Sequence, residues 1–152
     1  VELTLASGTR FSAAAAVDGS KIGMSWLGNR FERGYAFEKY VASELPASWK
    51  LPERFKTFDF FGEGKAISVK TLDTNTLARI AKPETVRYTV NWYINKMLDF
   101  TEYRHLKASK IISKELRLAI PANTSSMHMQ QIMRSVQYGS DNGVKVVITK
   151  VK

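Results

Sequence analysis

Four side chains could manage protons and phosphate charge together if the fold made them meet: Glu38, Asp59, Ser68 and Lys70. Asp59 lies in KTFDFF (56–61), and Ser68 and Lys70 lie in KAISVKT (65–71). Both runs are rich in apolar and β-branched residues, and Gly62, Glu63 and Gly64 lie between them. The spacing therefore predicts two strands, over 56–61 and 65–71, in a hairpin. If Phe61 pairs with Ala66, Asp59 stands opposite Ser68, and Lys70 is its diagonal neighbour on the same face. Asp59 is also set among Phe55, Phe58, Phe60 and Phe61. An unpaired carboxylate in such company costs several kcal/mol, so it needs a lysine, a metal ion or a strand end open to water. A plain cross-strand ion pair between Asp59 and Lys70 accounts for the same letters equally well.

The elements that must position these groups follow from periodicity. A helix is predicted from about Gly28 to Leu45, stopped by Pro46. Phe31, Tyr35, Glu38, Ala42 and Leu45 form one stripe on it, widened by Val41, so Glu38 falls inside an apolar face. A glutamate whose stem packs while its carboxylate reaches water is the ordinary reading; beside an acid and a lysine on strands, Glu38 becomes a candidate. Residues 1–27 carry little periodic signal and read as a lead-in packed loosely through Trp26 and Leu27, with the domain proper at 28–152. After the hairpin, Asp73, Thr74 and Thr76 predict a capped turn and a short helical piece, with Asp73 as the cap. Pro83 and Glu84 open a longer helix ending at Phe100, with Val86, Val90, Tyr93, Ile94, Met97 and Leu98 on its buried face. Tyr88, Trp92 and Tyr93 on this helix could stack bases, though such clusters more often pack core and rim. A basic loop over 103–109 brings Arg104, His105 and Lys107 close to Lys110; with Arg87 these cations are candidate phosphate contacts. A strand from about Lys110 to Ile120, a helix from about Thr124 to Tyr138 with His128 on its surface, and a Val-rich strand from Val144 complete the chain.

That order of elements describes an α/β/α sandwich around a mixed sheet. The 152 residues suit one domain with its own core. No apolar run approaches the roughly 20 residues needed to span a bilayer, and no signal-peptide pattern opens the sequence. Without cysteine, disulfides and Cys-based zinc sites are excluded. Lys and Arg number 23 against 14 Asp and Glu, a net charge of +9 that suits phosphate backbones or an acidic protein partner.

A helix acid, then a hairpin with an acid on one strand and x-Lys on the next, resembles the PD-(D/E)XK nuclease superfamily. More specifically, GYAFEKYVASELP, FKTFDFF, AISVKTLDTNT, YTVNWYINKMLDF and KELRLAIP are similar to the C-terminal toxin domains of bacterial contact-dependent growth inhibition effectors, in the branch that cuts transfer RNA. The similarity runs from about Gly34 to Thr149. It implies Glu38 as the helix acid, Asp59 as the strand acid and Lys70 as the catalytic lysine. It also implies a divalent metal, Mg2+ or Zn2+, on Glu38 and Asp59, a tRNA substrate, and a cognate immunity protein, acidic to match the charge. The domain would belong to a larger secreted or cell-surface effector and act in a neighbour's cytoplasm. Ser68 departs from the pattern, since the superfamily has Asp or Glu there and a hydroxyl is a poorer ligand for a hard cation.

Two mechanisms stay open on these residues. In one, a metal on Asp59 and Glu38 activates water while Lys70 stabilises the pentacovalent transition state. In the other, the RNA's own 2′-hydroxyl attacks without metal, and Glu38, Asp59, Ser68 and Lys70 manage protons and charge. The competing class is a non-catalytic basic module, in which Asp59 and Lys70 are structural. A metal-free RNase built on His105 and His128 requires those two to meet.

Overall fold

A four-stranded mixed sheet carries the molecule in a computed structural model, which describes residues 2–4, 10–12 and 16–152. A separate two-stranded ribbon, β1 (Glu2–Thr4) and β2 (Arg10–Ser12), comes first. There follow α1 (Arg30–Ala42), β3 (Phe60–Gly62), β4 (Lys65–Thr71), α2 (Leu77–Ala81) and α3 (Glu84–Asp99). A small hairpin, β5 (Glu102–Tyr103) and β6 (Leu106–Lys107), precedes β7 (Ser113–Pro121), α4 (Ser126–Asp141) and β8 (Val144–Val151). The sheet order is β3-β4-β7-β8, with β3 antiparallel to β4 and the other two pairs parallel. Both parallel steps advance the same way across the sheet, so right-handed crossovers put α3 and α4 on one face. There Val86, Val90, Ile94, Met97, Ile132 and Val136 close over Leu116, Leu118 and Ile120. On the opposite face Phe37 and Val41 of α1 cover Phe60, Ile67, Ala119 and Val151. The result is the expected α/β/α sandwich.

The helix α1 starts at a capping box in which Asn29 and Glu32 exchange side-chain to backbone hydrogen bonds. Its buried side is only in part the stripe that the sequence suggested: Val41 is buried and Ala42 and Leu45 pack beside it, but the N-terminal half turns differently. Ala36, Phe37 and Val41 face the sheet, while Phe31 and Tyr35 are 79% and 63% exposed. Both sets obey helical spacing, and only the sheet's position chooses between them. Glu38, one step round the helix from Phe37, lies on the flank of the buried side, its side chain about a quarter exposed.

The predicted hairpin pairs Phe61 with Ala66 as expected, but its first strand begins only at Phe60. Thr57 has φ +71, and the Phe58 N–H donates to the Lys56 carbonyl at 2.8 Å, a γ-turn of the rare positive-φ kind. A β-branched residue held there costs on the order of 1–3 kcal/mol. The turn throws the chain away from β4 just before Asp59.

Four other expectations change. The described part of the lead-in is bound to the sheet: Val17 bridges to Val151, the Trp26 indole donates to the Val151 carbonyl at 2.8 Å, and Met24 is buried, whereas Leu27 is fully exposed. Thr76, not Asp73, caps α2; the Asp73 carboxylate accepts from the Asn75 N–H in a local turn. The basic loop is the β5–β6 hairpin with Arg104 at its bend. His128 is buried, not on the surface. Its Nδ1 pairs with Ser125 Oγ at 2.7 Å and its Nε2 with the Arg79 carbonyl at 2.9 Å, which ties α4 to α2. Both ring nitrogens serve structure, so His128 offers no acid or base to His105.

Candidate active site

The site forms where β3 parts from β4. Antiparallel pairing runs from Gly62 back to Phe60 and ends with the Asp59 N–H donating to the Ile67 carbonyl at 2.9 Å. The next inward donor on β4, the Val69 N–H, has lost its strand partner to the Thr57 turn. The Asp59 carboxylate takes that place, accepting from Val69 at 2.7 Å. The acid is thus held in the plane of the sheet, open to groups from both faces.

One face brings Ser68 and Lys70. They alternate with Ile67 and Val69, so they point with Ala66 and Leu72 toward α3. Ser68 is buried, and the Lys70 ammonium lies 5.4 Å from the centre of the Tyr93 ring. Both line a cleft of about 250 Å³ together with Lys56, Thr57, Trp92, Tyr93 and Lys96. Three of its seven wall residues are lysines and none is acidic. Burial pushes the Tyr93 phenol up from its ordinary range, with Arg79 and Arg30 opposing, so it stays neutral.

Glu38 comes from α1, on the other face. Its carboxylate pairs with Lys50 at 2.8 Å, and the Lys50 ammonium lies 5.6 Å from the Phe60 ring. Burial disfavours the Lys50 charge, but the hydrogen bond and charge of Glu38, with the charges of Glu53 and Asp59, outweigh it and raise its pKa. Lys50 is fixed there by a bridge from its own strand-like segment to Phe60.

Asp59 feels all of these groups. Burial raises its pKa to about 6; the Val69 N–H opposes that, Glu38 adds to it, and Lys70 and Lys50 work against it. Glu38, Asp59, Ser68 and Lys70 are therefore brought to one sheet edge, though Glu38 and Lys70 approach Asp59 from opposite faces. The cations first considered for phosphate are placed elsewhere. Arg104 covers Tyr103, Lys107 ends β6, Lys110 lies three residues beyond it, and Arg87 donates to Gln131. None of the four lines the cleft. Lys50, Lys56 and Lys96 were missed; Lys96 could have been found from its spacing of four from Trp92, whereas Lys50 and Lys56 gave no signal beyond adjacency to the hairpin.

Glu38 and Asp59 supply carboxylate oxygens and Ser68 a hydroxyl, a hard donor set. Among the described residues there is no group of three or more His, Cys, Asp or Glu that could hold a metal ion. The Glu38 charge adds to the cost of ionising Asp59, and a cation held between the two carboxylates would offset it.

Residues 33–149 match the CDI toxin restriction endonuclease-like domain family. The chain belongs to that family. The toxin domain is 40% identical over 150 residues to Deoxyribonuclease CdiA-o11 of Escherichia coli O157:H7 (strain EC869), and 36% identical over 149 residues to Deoxyribonuclease CdiA of Yersinia pseudotuberculosis serotype O:3 (strain YPIII). These alignments take in 95% and 94% of the toxin domain but only 40% and 14% of the relatives' lengths. A solved CdiA-CT/CdiI toxin and immunity complex from Yersinia pseudotuberculosis superimposes with a TM-score of 0.70 at 38% identity, over 76% of the toxin domain and 98% of that chain.

Proposed function

We propose that the domain is a nuclease toxin that hydrolyses phosphodiester bonds of DNA, using Glu38, Asp59, Ser68 and Lys70. The observation that carries the reading is Asp59, held on the Val69 N–H at the open edge of β4 within electrostatic reach of Glu38 and Lys70. A structural ion pair needs only one partner; here a partly buried carboxylate has one like and two unlike charges around it. Lys70 stands ready to neutralise the charge that builds on a pentacovalent phosphate. Ser68 can donate to a phosphoryl oxygen beside it. Glu38 and Asp59 would hold a divalent ion, which supplies an activated water and charge neutralisation when bound. Lys50 keeps the Glu38 carboxylate oriented.

The names of the two relatives favour DNA as substrate. The tRNA reading keeps one observation in its favour: Tyr88 and Trp92 stand exposed on α3 and suit unpaired bases, such as those of RNA loops. The structural neighbour's title supports a cognate immunity protein, for which the +9 charge favours an acidic surface. The domain would be one piece of a longer effector that delivers it into a neighbouring bacterium.

The test is incubation of the purified domain with plasmid DNA and with total RNA, with and without EDTA. DNA should be cut and RNA left intact, EDTA should stop the reaction, and Lys70→Ala or Asp59→Ala should abolish it in folded protein. RNA cut in EDTA to 2′,3′-cyclic phosphate ends would replace this reading with the metal-free ribonuclease. No cleavage of either polymer would leave a binding module.

A further inference from the structure

We infer that Trp92 and Tyr88 form a stacking track on α3 for unpaired bases that flank the phosphate held in the cleft. This rests on the nuclease reading and adds the form in which its substrate is engaged: a strand whose bases are splayed at the cut, in a single strand or in a locally opened duplex.

Three observations converge. First, Tyr88 and Trp92 are each 56% exposed, four residues apart, and so share one side of α3. Isolated exposed aromatics are common on protein surfaces. These two are not isolated. Second, each carries a cation over one face of its ring, the Arg87 guanidinium 4.9 Å from the Tyr88 ring centre and the Lys96 ammonium 5.1 Å from that of Trp92, so a base would stack on the opposite face. Arg87 is held in place by its hydrogen bond to Gln131 at 3.0 Å. A ring with a cation over one face offers its other face to a base, and the cation adds charge near the phosphate. Third, Trp92 is itself a wall of the cleft, shared with Ser68 and Lys70, so the track begins at the site.

Size and spacing then fix the substrate's form. The cleft's volume of about 250 Å³ falls below the roughly 300–1,000 Å³ of pockets that enclose whole drug-sized ligands. It can take the phosphate and part of one nucleotide, and the flanking bases must lie outside it, along α3. Residues four apart rise about 6 Å along a helix, whereas stacked nucleotides in a duplex rise only about 3.4 Å each. Consecutive bases on Trp92 and Tyr88 must therefore be unstacked from each other. A duplex presents them so only where it is locally opened.

The experiment measures binding in the Asp59→Asn protein, so that the probe survives, using a single-stranded DNA 12-mer and the same sequence as a closed duplex. Tryptophan emission should be quenched by the single strand, and Trp92→Phe should remove most of that quenching although Trp26 and Trp49 remain. Trp92→Ala should weaken single-strand binding about 5- to 150-fold, Tyr88→Ala should weaken it by less, and duplex binding should change little. Circular dichroism of each variant checks the fold, and near-normal affinity of Trp92→Phe separates lost stacking from lost structure. Unchanged emission with undiminished single-strand affinity in Trp92→Ala overturns the track while leaving the nuclease reading in place, and gives this side of α3 to a protein partner. Failure of both DNA forms to bind, with no cleavage by the unsubstituted domain, overturns the two together.

Discussion

Asp59 is the residue whose environment can be checked without any substrate. Its folded pKa of about 6 stands above the ordinary 3.8, chiefly because burial disfavours the charge. Between about pH 4 and pH 6 the folded protein keeps a proton that the unfolded chain has lost, so stability falls as pH rises through that window. Above it the full cost, on the order of 2–3 kcal/mol, is present. Asp59→Asn keeps an oxygen acceptor for the Val69 N–H and removes the charge. In metal-free buffer at pH 8 it should therefore melt roughly 5–10 °C higher than the unsubstituted protein, with the gain fading by pH 4, while cleavage is lost. Thermal melts across pH decide this; equal melting at pH 8 would show that the carboxylate is not under strain. Added Mg2+ or Zn2+ should stabilise the unsubstituted protein at pH 8 and leave Asp59→Asn unmoved. The types of the four candidate residues and the Phe61–Ala66 register that sets Asp59 near Ser68 were legible in the sequence. That Asp59 turns into the sheet plane to cap Val69 was not, because it depends on a missing strand partner.

Among the elements, the Lys56–Phe58 turn does most to shape the site. Thr57 at φ +71 is strained, and glycine adopts that conformation freely. Thr57→Gly should raise stability by about 1 kcal/mol and slow cleavage, because the turn that lifts the chain off β4 is then less sharply fixed. Chemical denaturation and a plasmid assay would show it, and a loss of stability would mean that the turn is not the source of strain. At the hairpin's outer end Trp49 lies flat on Gly62, where a Cβ would come within 2.1 Å of its indole. Gly62→Ala should destabilise by about 1–3 kcal/mol, read in the same denaturation. Alternation and turn residues made the hairpin readable, but neither shows a γ-turn inside a run of Lys, Thr and Phe. Likewise the Phe31–Tyr35 and Phe37–Val41 stripes of α1 carry the same period, and burial selected the second.

For the molecule as a whole, the charge of +9 is concentrated to effect where Lys56, Lys70 and Lys96 wall the cleft. If each meets a phosphate, single-strand binding should fall with salt at a log–log slope of about −2. Titrations at several salt concentrations would read it, and Lys96→Ala should flatten the slope while Lys145→Ala, exposed on β8, should not. A slope unaffected by Lys96→Ala would move the phosphate path away from α3. The sequence by itself determined the sandwich, the hairpin register and the basic character, because period, turn chemistry and composition are local or summed properties of the chain. Only the tertiary structure decided which cations meet the site, which side of α1 is buried and that His128 serves the core. Each of these depends on what another segment, tens of residues away, sets against the residue in question.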